Sequence, residues 1–218
     1  MMQQNSDVVT VALGKNVLRG NLHVPKGAQA IVVFAHGSGS GRKSPRNRFV
    51  ARALEQGNLA TLLIDLLTME EESVDLITRE LRFNISLLAK RLEGITEWVR
   101  KKPEIKTLKI GYFGASTGAA AALMAAAQKE KEIFAIVSRG GRPDLAGVEN
   151  LPKVTAPTLL IVGSRDTETI QLNEEALKQL SCEKKLTIIP NATHLFEEPG
   201  ALEDVAKLAR KWFETHLT

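Results

Sequence analysis

The sequence predicts an α/β fold: a mostly parallel sheet that begins with an antiparallel hairpin and carries helices on both faces. Three observations predict it. Two short stretches near the start alternate apolar and polar residues, six apolar runs of strand length follow, and longer amphipathic stretches lie between those runs. Because strands that alternate with helices join through right-handed crossovers, the sheet is expected to be covered on both sides.

The expected hairpin consists of residues 8–13 and 17–24, which Gly14-Lys15-Asn16 separates. A short turn containing glycine between two alternating stretches is typical of an antiparallel pair. The two strands are therefore expected to pair with each other at the start of the sheet.

The later strands are expected at the six apolar runs, which are rich in β-branched residues and short enough to be buried strands. They are residues 30–35, 59–66, 108–113, 133–137, 158–162 and 186–189.

Helices are expected in the amphipathic stretches between the strands. In the longest of these, apolar residues recur at steps of three and four, as one buried helix face requires. The recurring residues are Leu76, Leu81, Ile85, Leu88, Leu92 and Ile95. The five predicted helices are residues 46–56, 74–102, 117–129, 173–180 and 201–217.

Composition fits one globular domain over residues 1–218, with 44% hydrophobic and 25% charged residues. The first ten residues show neither a basic nor an apolar leader segment, and no run reaches the roughly 18 apolar residues of a membrane helix. The single cysteine, Cys182, excludes an internal disulfide and favours a reducing compartment. We therefore expect a cytoplasmic protein with no membrane partner.

The net charge of +4 does not by itself indicate a nucleic-acid partner. The densest basic stretch, residues 42–48, has only Phe49 at its edge as a stacking aromatic, whereas single-strand binders interleave aromatics with cations. A solvated entry to a helix is the expected role of this stretch, and no nucleic-acid binding is expected.

The expected nucleophile is Ser116. The strand at 108–113 runs directly into Gly114-Ala115-Ser116-Thr117-Gly118 and then into an alanine-rich helical stretch. Small residues on either side of the serine allow a sharp strand-to-helix turn that exposes its hydroxyl. The alternative is a serine that merely caps the helix.

A serine needs a base, and the base needs a third group to orient it. Asp166 follows the strand at 158–162, and His194 follows the strand at 186–189, so both are expected at the same sheet edge as Ser116. The order serine, aspartate, histidine suits this fold. Asp144, which follows the strand at 133–137, is the alternative acid.

The first parallel strand ends in a glycine-rich turn, His36-Gly37-Ser38-Gly39-Ser40-Gly41. In acyl-transfer enzymes such a turn supplies one backbone N–H to an oxyanion hole, and the residue after the nucleophile supplies the other. We expect the N–H groups of Ser38 and Thr117 to form that pair. A phosphate-binding loop is the competing interpretation, but its lysine and glycine spacing are missing. His36 is expected to be structural.

Together, the His36 turn, the Ser116 turn, Gly163-Ser164-Arg165-Asp166 and His194 resemble the α/β-hydrolase superfamily, and the compact form resembles its dienelactone-hydrolase-like branch. The resemblance implies an enzyme without metal or cofactor that forms an acyl-enzyme on Ser116. Dienelactone hydrolases proper use cysteine where this sequence has serine. Only residues 138–156 separate two strands where a full cap domain would lie, so no large cap is expected.

Two arginines, Arg139 and Arg142, follow the strand at 133–137 and are the expected substrate-binding residues. Guanidinium groups there would bind a carboxylate or phosphate on a substrate, although pairing with Asp144 or with residues 70–72 is an equal alternative. The resulting hypothesis is a carboxylesterase for a small-molecule, possibly anionic, ester. A thioesterase, a small peptidase and a non-catalytic binding protein are the alternatives.

Overall fold

In the computed structural model, which describes residues 7–217, eight strands form one sheet in the order β1-β2-β4-β3-β5-β6-β7-β8. The pairs β1–β2 and β2–β4 are antiparallel and the others are parallel. The predicted fold class is therefore confirmed. The strands are β1 Asp7–Leu13, β2 Asn16–His23, β3 Ala30–Ala35, β4 Ala60–Ile64, β5 Lys109–Ala115, β6 Ile133–Arg139, β7 Thr158–Gly163 and β8 Lys184–Ile189.

Six α-helices cover the sheet within the described part of the chain, two on one face and the rest on or beside the other. Side chains of α1 and α6 pack in one buried cluster, and side chains of α3, α4 and α5 pack in another. The helices are α1 Pro45–Glu55, α2 Met69–Thr78, α3 Ile85–Lys101, α4 Thr117–Gln128, α5 Thr167–Gln179 and α6 Ala201–Thr215.

The predicted helix at 74–102 is wrong, because two helices occupy that stretch. Helix α2 ends at Arg79, whose φ of 58° is left-handed, and α3 begins after Asn84, whose side chain accepts the Leu87 N–H at 3.0 Å. Leu76 is 69% exposed, whereas Ile85 is buried. Leu76 and Leu81 therefore continue the three- and four-residue spacing of α3 in the sequence, but they do not lie on the buried face of that helix.

The segment from α2 through a 3₁₀ helix at Leu81–Phe83 lies between β4 and α3, and we name residues 69–83 the cap segment. Between β6 and β7 the chain forms only two short 3₁₀ helices, Pro143–Ala146 and Leu151–Lys153, so no large cap is present there. The cap segment exposes several large apolar side chains, namely Met69, Val74, Leu76, Ile77 and Phe83.

Among residues 7–217, no helix is both long enough and apolar enough to cross a bilayer. Most of the start from which the absence of a leader was predicted, residues 1–6, lies outside the described residues.

Candidate active site

The nucleophile candidate Ser116 lies between β5 and α4 with φ 51° and ψ −121°, a backbone conformation that costs a non-glycine residue about 1–3 kcal/mol. Two backbone hydrogen bonds hold this conformation. The Ser116 N–H donates to the Arg139 carbonyl at 3.2 Å, and the Arg142 N–H donates to the Ser116 carbonyl at 3.1 Å. The turn is thus bonded to the end of β6 at Arg139 and to the loop after it at Arg142. The serine lies at the carboxyl edge of the sheet.

Gly118 allows α4 to approach the end of β3. A β-carbon at Gly118 would collide with the Ala35 carbonyl oxygen and would lie 2.5 Å from the His36 carbonyl oxygen. The helix that begins after Ser116 therefore contacts the backbone of the glycine-rich turn directly. This contact explains why glycine is required at the fifth position of the Gly114–Gly118 sequence.

His194 and Asp166 meet at the same edge, where the His194 Nδ1 lies 2.6 Å from the Asp166 Oδ2. The two loops that carry them are joined by backbone bonds, from the Ser164 N–H to the Ile189 carbonyl and from the Arg165 N–H to the Ala192 carbonyl, both at 2.9 Å. With Nδ1 donating to the carboxylate, Nε2 is the nitrogen that remains to accept a proton. The aspartate side chain is 14% exposed and the histidine side chain 39% exposed, so the imidazole is accessible from solvent while the carboxylate is largely covered.

The alternative acid, Asp144, contacts an arginine instead. Arg142 donates from Nε to Asp144 Oδ1 at 2.9 Å and from Nη2 to Asp144 Oδ2 at 2.8 Å. This bidentate pair occupies both carboxylate oxygens and raises the pKa of Arg142. The structure therefore brings Asp166, not Asp144, to the histidine, and it holds Arg142 in an ion pair within its own loop.

Arg139, the other predicted substrate arginine, is in a different state. It lies at the end of β6 and is only 8% exposed. Its Nη1 is buried and has no hydrogen-bond partner in the described part of the chain. The two arginines, which were predicted to have the same role, therefore differ: Arg142 is paired with Asp144, and Arg139 is unpaired.

The expected oxyanion donors, Ser38 and Thr117, contact each other. The Ser38 N–H donates to the Thr117 Oγ1 at 3.0 Å, so this N–H is engaged with the threonine side chain. A hydroxyl that accepts one hydrogen bond keeps its own proton to donate. The Thr117 side chain therefore adds a third polar group to the predicted pair, and sequence reasoning missed it because a threonine beside the nucleophile carries no special spacing.

His36 is structural, as the sequence predicted. Its Nδ1 lies 3.0 Å from the Gly37 carbonyl, to which it donates, and its Nε2 accepts the Leu66 N–H at 3.0 Å. Burial lowers the pKa of His36, and the neutral ring suits this pair of partners because Nε2 must carry a lone pair. The histidine thus ties the glycine-rich turn to the end of β4.

A cavity of about 180 Å³ lies beside the glycine-rich turn, between that turn, the cap segment and α3. Its wall contains a buried ion pair, in which the Arg82 Nε donates to the Asp75 Oδ2 at 2.6 Å and the Arg82 N–H donates to Asp75 Oδ1 at 3.0 Å. Burial opposes ionisation of Asp75, but the bonds from Arg82 outweigh it and hold the pKa of that carboxyl below its usual range.

Sequence reasoning missed α2 as a separate helix in the wall of this cavity, although a signal for its start is present. Thr68 and Glu71 form a capping box, in which the Thr68 N–H donates to the Glu71 carboxylate and the Glu71 N–H donates to the Thr68 hydroxyl. That pattern marks the beginning of α2.

Comparisons with known proteins agree with the observed fold. A family model for the alpha/beta hydrolase domain matches residues 28–208. The crystal structure of a dienelactone hydrolase from Anabaena variabilis superimposes on this chain with a TM-score of 0.97. The two sequences are 59% identical, and the match covers 100% of each chain. Est1E from Butyrivibrio proteoclasticus shares the fold at 16% identity, with a TM-score of 0.81 over 97% of this chain and 99% of that one.

Curated relatives are longer. Proteins of Mycobacterium tuberculosis with the name "Putative phosphoribosyl transferase" are 54% identical over 209 residues, which is 96% of this chain and 46% of theirs. The chain thus spans about half the length of the curated relatives that it matches. The family match over most of the chain leads to one conclusion: this chain belongs to the alpha/beta-hydrolase family and to its dienelactone-hydrolase-like branch.

Proposed function

We propose that this chain is a serine hydrolase that cleaves a carboxylic ester through an acyl-enzyme on Ser116. The observation that carries the proposal is the 2.6 Å contact between His194 Nδ1 and Asp166 Oδ2 at the sheet edge where the strained Ser116 turn also lies. A histidine that a carboxylate orients, at the same sheet edge as a serine on such a turn, is the arrangement in which a hydroxyl can be activated.

In the acylation step, the Ser116 Oγ attacks the ester carbonyl carbon while His194 Nε2 takes the hydroxyl proton. The bond from Oγ to the acyl carbon forms, and the electron pair of the carbonyl moves onto its oxygen. When the tetrahedral intermediate collapses, the bond from the acyl carbon to the alcohol oxygen breaks. His194 gives the proton to this alcohol oxygen, and the alcohol leaves. Asp166 keeps Nδ1 protonated and stabilises the imidazolium that forms between these steps.

The developing oxyanion needs donors beside Ser116. The backbone N–H of Thr117, at the start of α4, lies where the helix dipole favours negative charge. The Thr117 hydroxyl, which accepts from the Ser38 N–H, has a proton left to donate. In deacylation, His194 takes a proton from water, which attacks the acyl carbon, and Ser116 leaves with that proton restored.

An ester is the proposed substrate class because the chain is 59% identical to a protein named as a dienelactone hydrolase, and a lactone is a cyclic ester. A thioesterase and a small peptidase would use the same residues and are the alternatives. The transferase name of the curated relatives describes proteins about twice as long as the match, so we assign hydrolysis, not phosphoribosyl transfer, to this chain.

The test is active-site labelling of the purified chain with a fluorophosphonate, followed by peptide mapping and by assays with p-nitrophenyl esters of increasing acyl length. Wild type is expected to carry the label on Ser116 and to hydrolyse at least the short esters. Ser116→Ala is expected to lose labelling and to lose ester turnover by a factor on the order of 10⁶ in kcat.

Ser181→Ala is the matched control, because Ser181 is an exposed serine in the loop between α5 and β8, outside the site. This variant should label and turn over like wild type. Absence of label and of ester turnover in folded wild type would overturn the proposal and favour a binding protein. Faster turnover of thioesters or amides than of matched esters would replace the ester by that class.

A further inference from the structure

We propose that Arg139, assisted by Arg46, binds a negatively charged group of the substrate, so that the preferred esters carry a carboxylate or a phosphate. This inference rests on the proposed function, because it adds a substrate class to the same site. It assigns to Arg139 a specificity role that is separate from the bond-making steps at Ser116.

Arg139 is adjacent to the reacting groups through the backbone. It pairs with Ala115 across β5 and β6, and its carbonyl accepts the Ser116 N–H at 3.2 Å. On its other side, a β-carbon at Gly140 would lie 3.4 Å from both the Cε1 and the Nδ1 of His194. The residue therefore occupies the position between nucleophile and base.

The Arg139 side chain is on the α1 side of the sheet. Ala135 and Val137, which precede it at steps of two on β6, pack in the cluster formed with α1 and α6. Because side chains alternate along a strand, Arg139 follows them to that side. Neither Arg139 nor Arg46 lines the cap-segment cavity, so the proposed anion site is separate from that cavity.

The guanidinium is both buried and unpaired. Arg139 is 8% exposed, its Nη1 has no hydrogen-bond partner, and no carboxylate forms an ion pair with it among residues 7–217. Burying a charge without a partner is strongly unfavourable. Burial, and then the charge of Arg46, lower the pKa of Arg139 to about 10, so the group remains a cation at neutral pH. An arginine in this state is a site for an anion from outside the chain.

Arg46 provides the second cation. It lies in the first turn of α1, and its Nη1 contacts Glu197 Oε1 at 2.9 Å, in the loop that follows His194. Glu197 is 64% exposed and only partly offsets this charge, and the Nε of Arg46 is buried without a partner. The positive charge of Arg46 acts on Arg139, so an oxyanion bound at Arg139 would be attracted by both guanidiniums.

The experiment compares a neutral and an anionic ester of similar length, p-nitrophenyl valerate and mono-p-nitrophenyl glutarate, in wild type, Arg139→Met, Arg139→Lys and Arg48→Met. Arg48 is an exposed arginine on α1 and serves as the control. Arg139→Met should lower kcat/KM for the glutarate ester by about 10- to 100-fold and for the valerate ester by less than about threefold. Arg139→Lys should keep part of the preference, and Arg48→Met should keep all of it.

A second arm measures thermal shifts with glutarate and with inorganic phosphate, which separates the two anion classes. The anion that raises the Tm of wild type but not of Arg139→Met identifies the class. The inference is overturned if Arg139→Met lowers kcat/KM equally for both esters, or for neither, and if no anion shifts the Tm through Arg139. If wild type cleaves neither ester but an anion still shifts its Tm through Arg139, the proposed function fails while the anion site stands.

Discussion

The two sides of Ser116 are built differently. On the β6–β8 side, the groups proposed for catalysis follow strand ends, and backbone hydrogen bonds join their loops, as between Ser164 and Ile189. On the other side, the cavity is bounded by the cap segment, which exposes Leu76 by 69% and Ile77 by 85%. The wall there depends on the ion pair between Arg82 and Asp75.

The difference teaches how the two parts of the site are specified. Strand ends are fixed by the sheet, so the groups on them are positioned by the same contacts that stabilise the fold. The cap segment is held by fewer buried apolar residues, and its position depends on a small number of polar contacts. The cap segment can therefore vary without disturbing the groups at the strand ends.

The contrast is tested most severely by Asp166→Asn. This change should lower kcat for ester hydrolysis by a factor on the order of 10⁴, because an amide stabilises the wrong histidine tautomer. Steady-state assays with p-nitrophenyl acetate measure the loss. Asp144→Asn is the matched control and should change kcat by less than about threefold, since Asp144 pairs with Arg142. A larger loss in the control would move the acid to the loop after β6.

On the cap side, Arg82→Met should leave Asp75 buried without its partner. The Asp75 side chain is 4% exposed, so the free energy of unfolding should fall by about 3 kcal/mol, measured by urea denaturation. The double variant Asp75→Leu/Arg82→Met should recover most of the loss, because an apolar pair replaces the charges. Turnover of p-nitrophenyl acetate should persist in the folded variant. Its disappearance would mean that the two sides are not independent.

At the junction of the two sides, Thr117→Val removes the hydroxyl that accepts the Ser38 N–H but keeps the side-chain volume. We expect kcat to fall by about 100-fold with little change in KM, as for loss of one oxyanion donor. Thr117→Ser should restore most of the rate in the same assay. A rate for Thr117→Val equal to or above that of wild type would show instead that the hydroxyl blocks the Ser38 N–H.

The smallest expected effect is on the pH dependence of stability. The pKa of His36 is lowered by burial from 6.5, so above that pH the ring is neutral in both the folded and the unfolded chain. As the pH falls through 6.5, the unfolded chain binds a proton that the folded chain does not, and stability decreases. His36→Gln, which keeps an acceptor for the Leu66 N–H, should show a flatter Tm profile between pH 8 and 5. Parallel profiles would contradict this assignment.

Much of the fold was predictable from the sequence because buried strands have a distinct composition. Every residue of β3 is buried, and the predicted strand has the same bounds. The strand ends then placed Ser116, Asp166 and His194 at one edge, since parallel strands share their carboxyl side. The chemical roles of these three residues remain predictions that the labelling and the Asp166 variant test.

Other features were not predictable, for physical reasons that the residues make clear. The left-handed turn at Arg79 divides the predicted long helix, and neither glycine nor proline marks it. Arg139 is buried and unpaired whereas Arg142 is paired with Asp144, and this difference depends on the direction in which each side chain leaves the sheet edge. A short run of basic and glycine residues does not show which of its arginines is buried.

The two hydrogen bonds that fasten the Ser116 peptide to the end of β6 have a consequence for turnover. A residue with φ 51° would relax to a negative φ if its neighbours allowed it, and that change would reorient its side chain. With both its N–H and its carbonyl engaged, the serine keeps one orientation whether or not a substrate is bound. The free-energy cost of this strained backbone is therefore incurred when the chain folds, and it does not recur when a ligand binds.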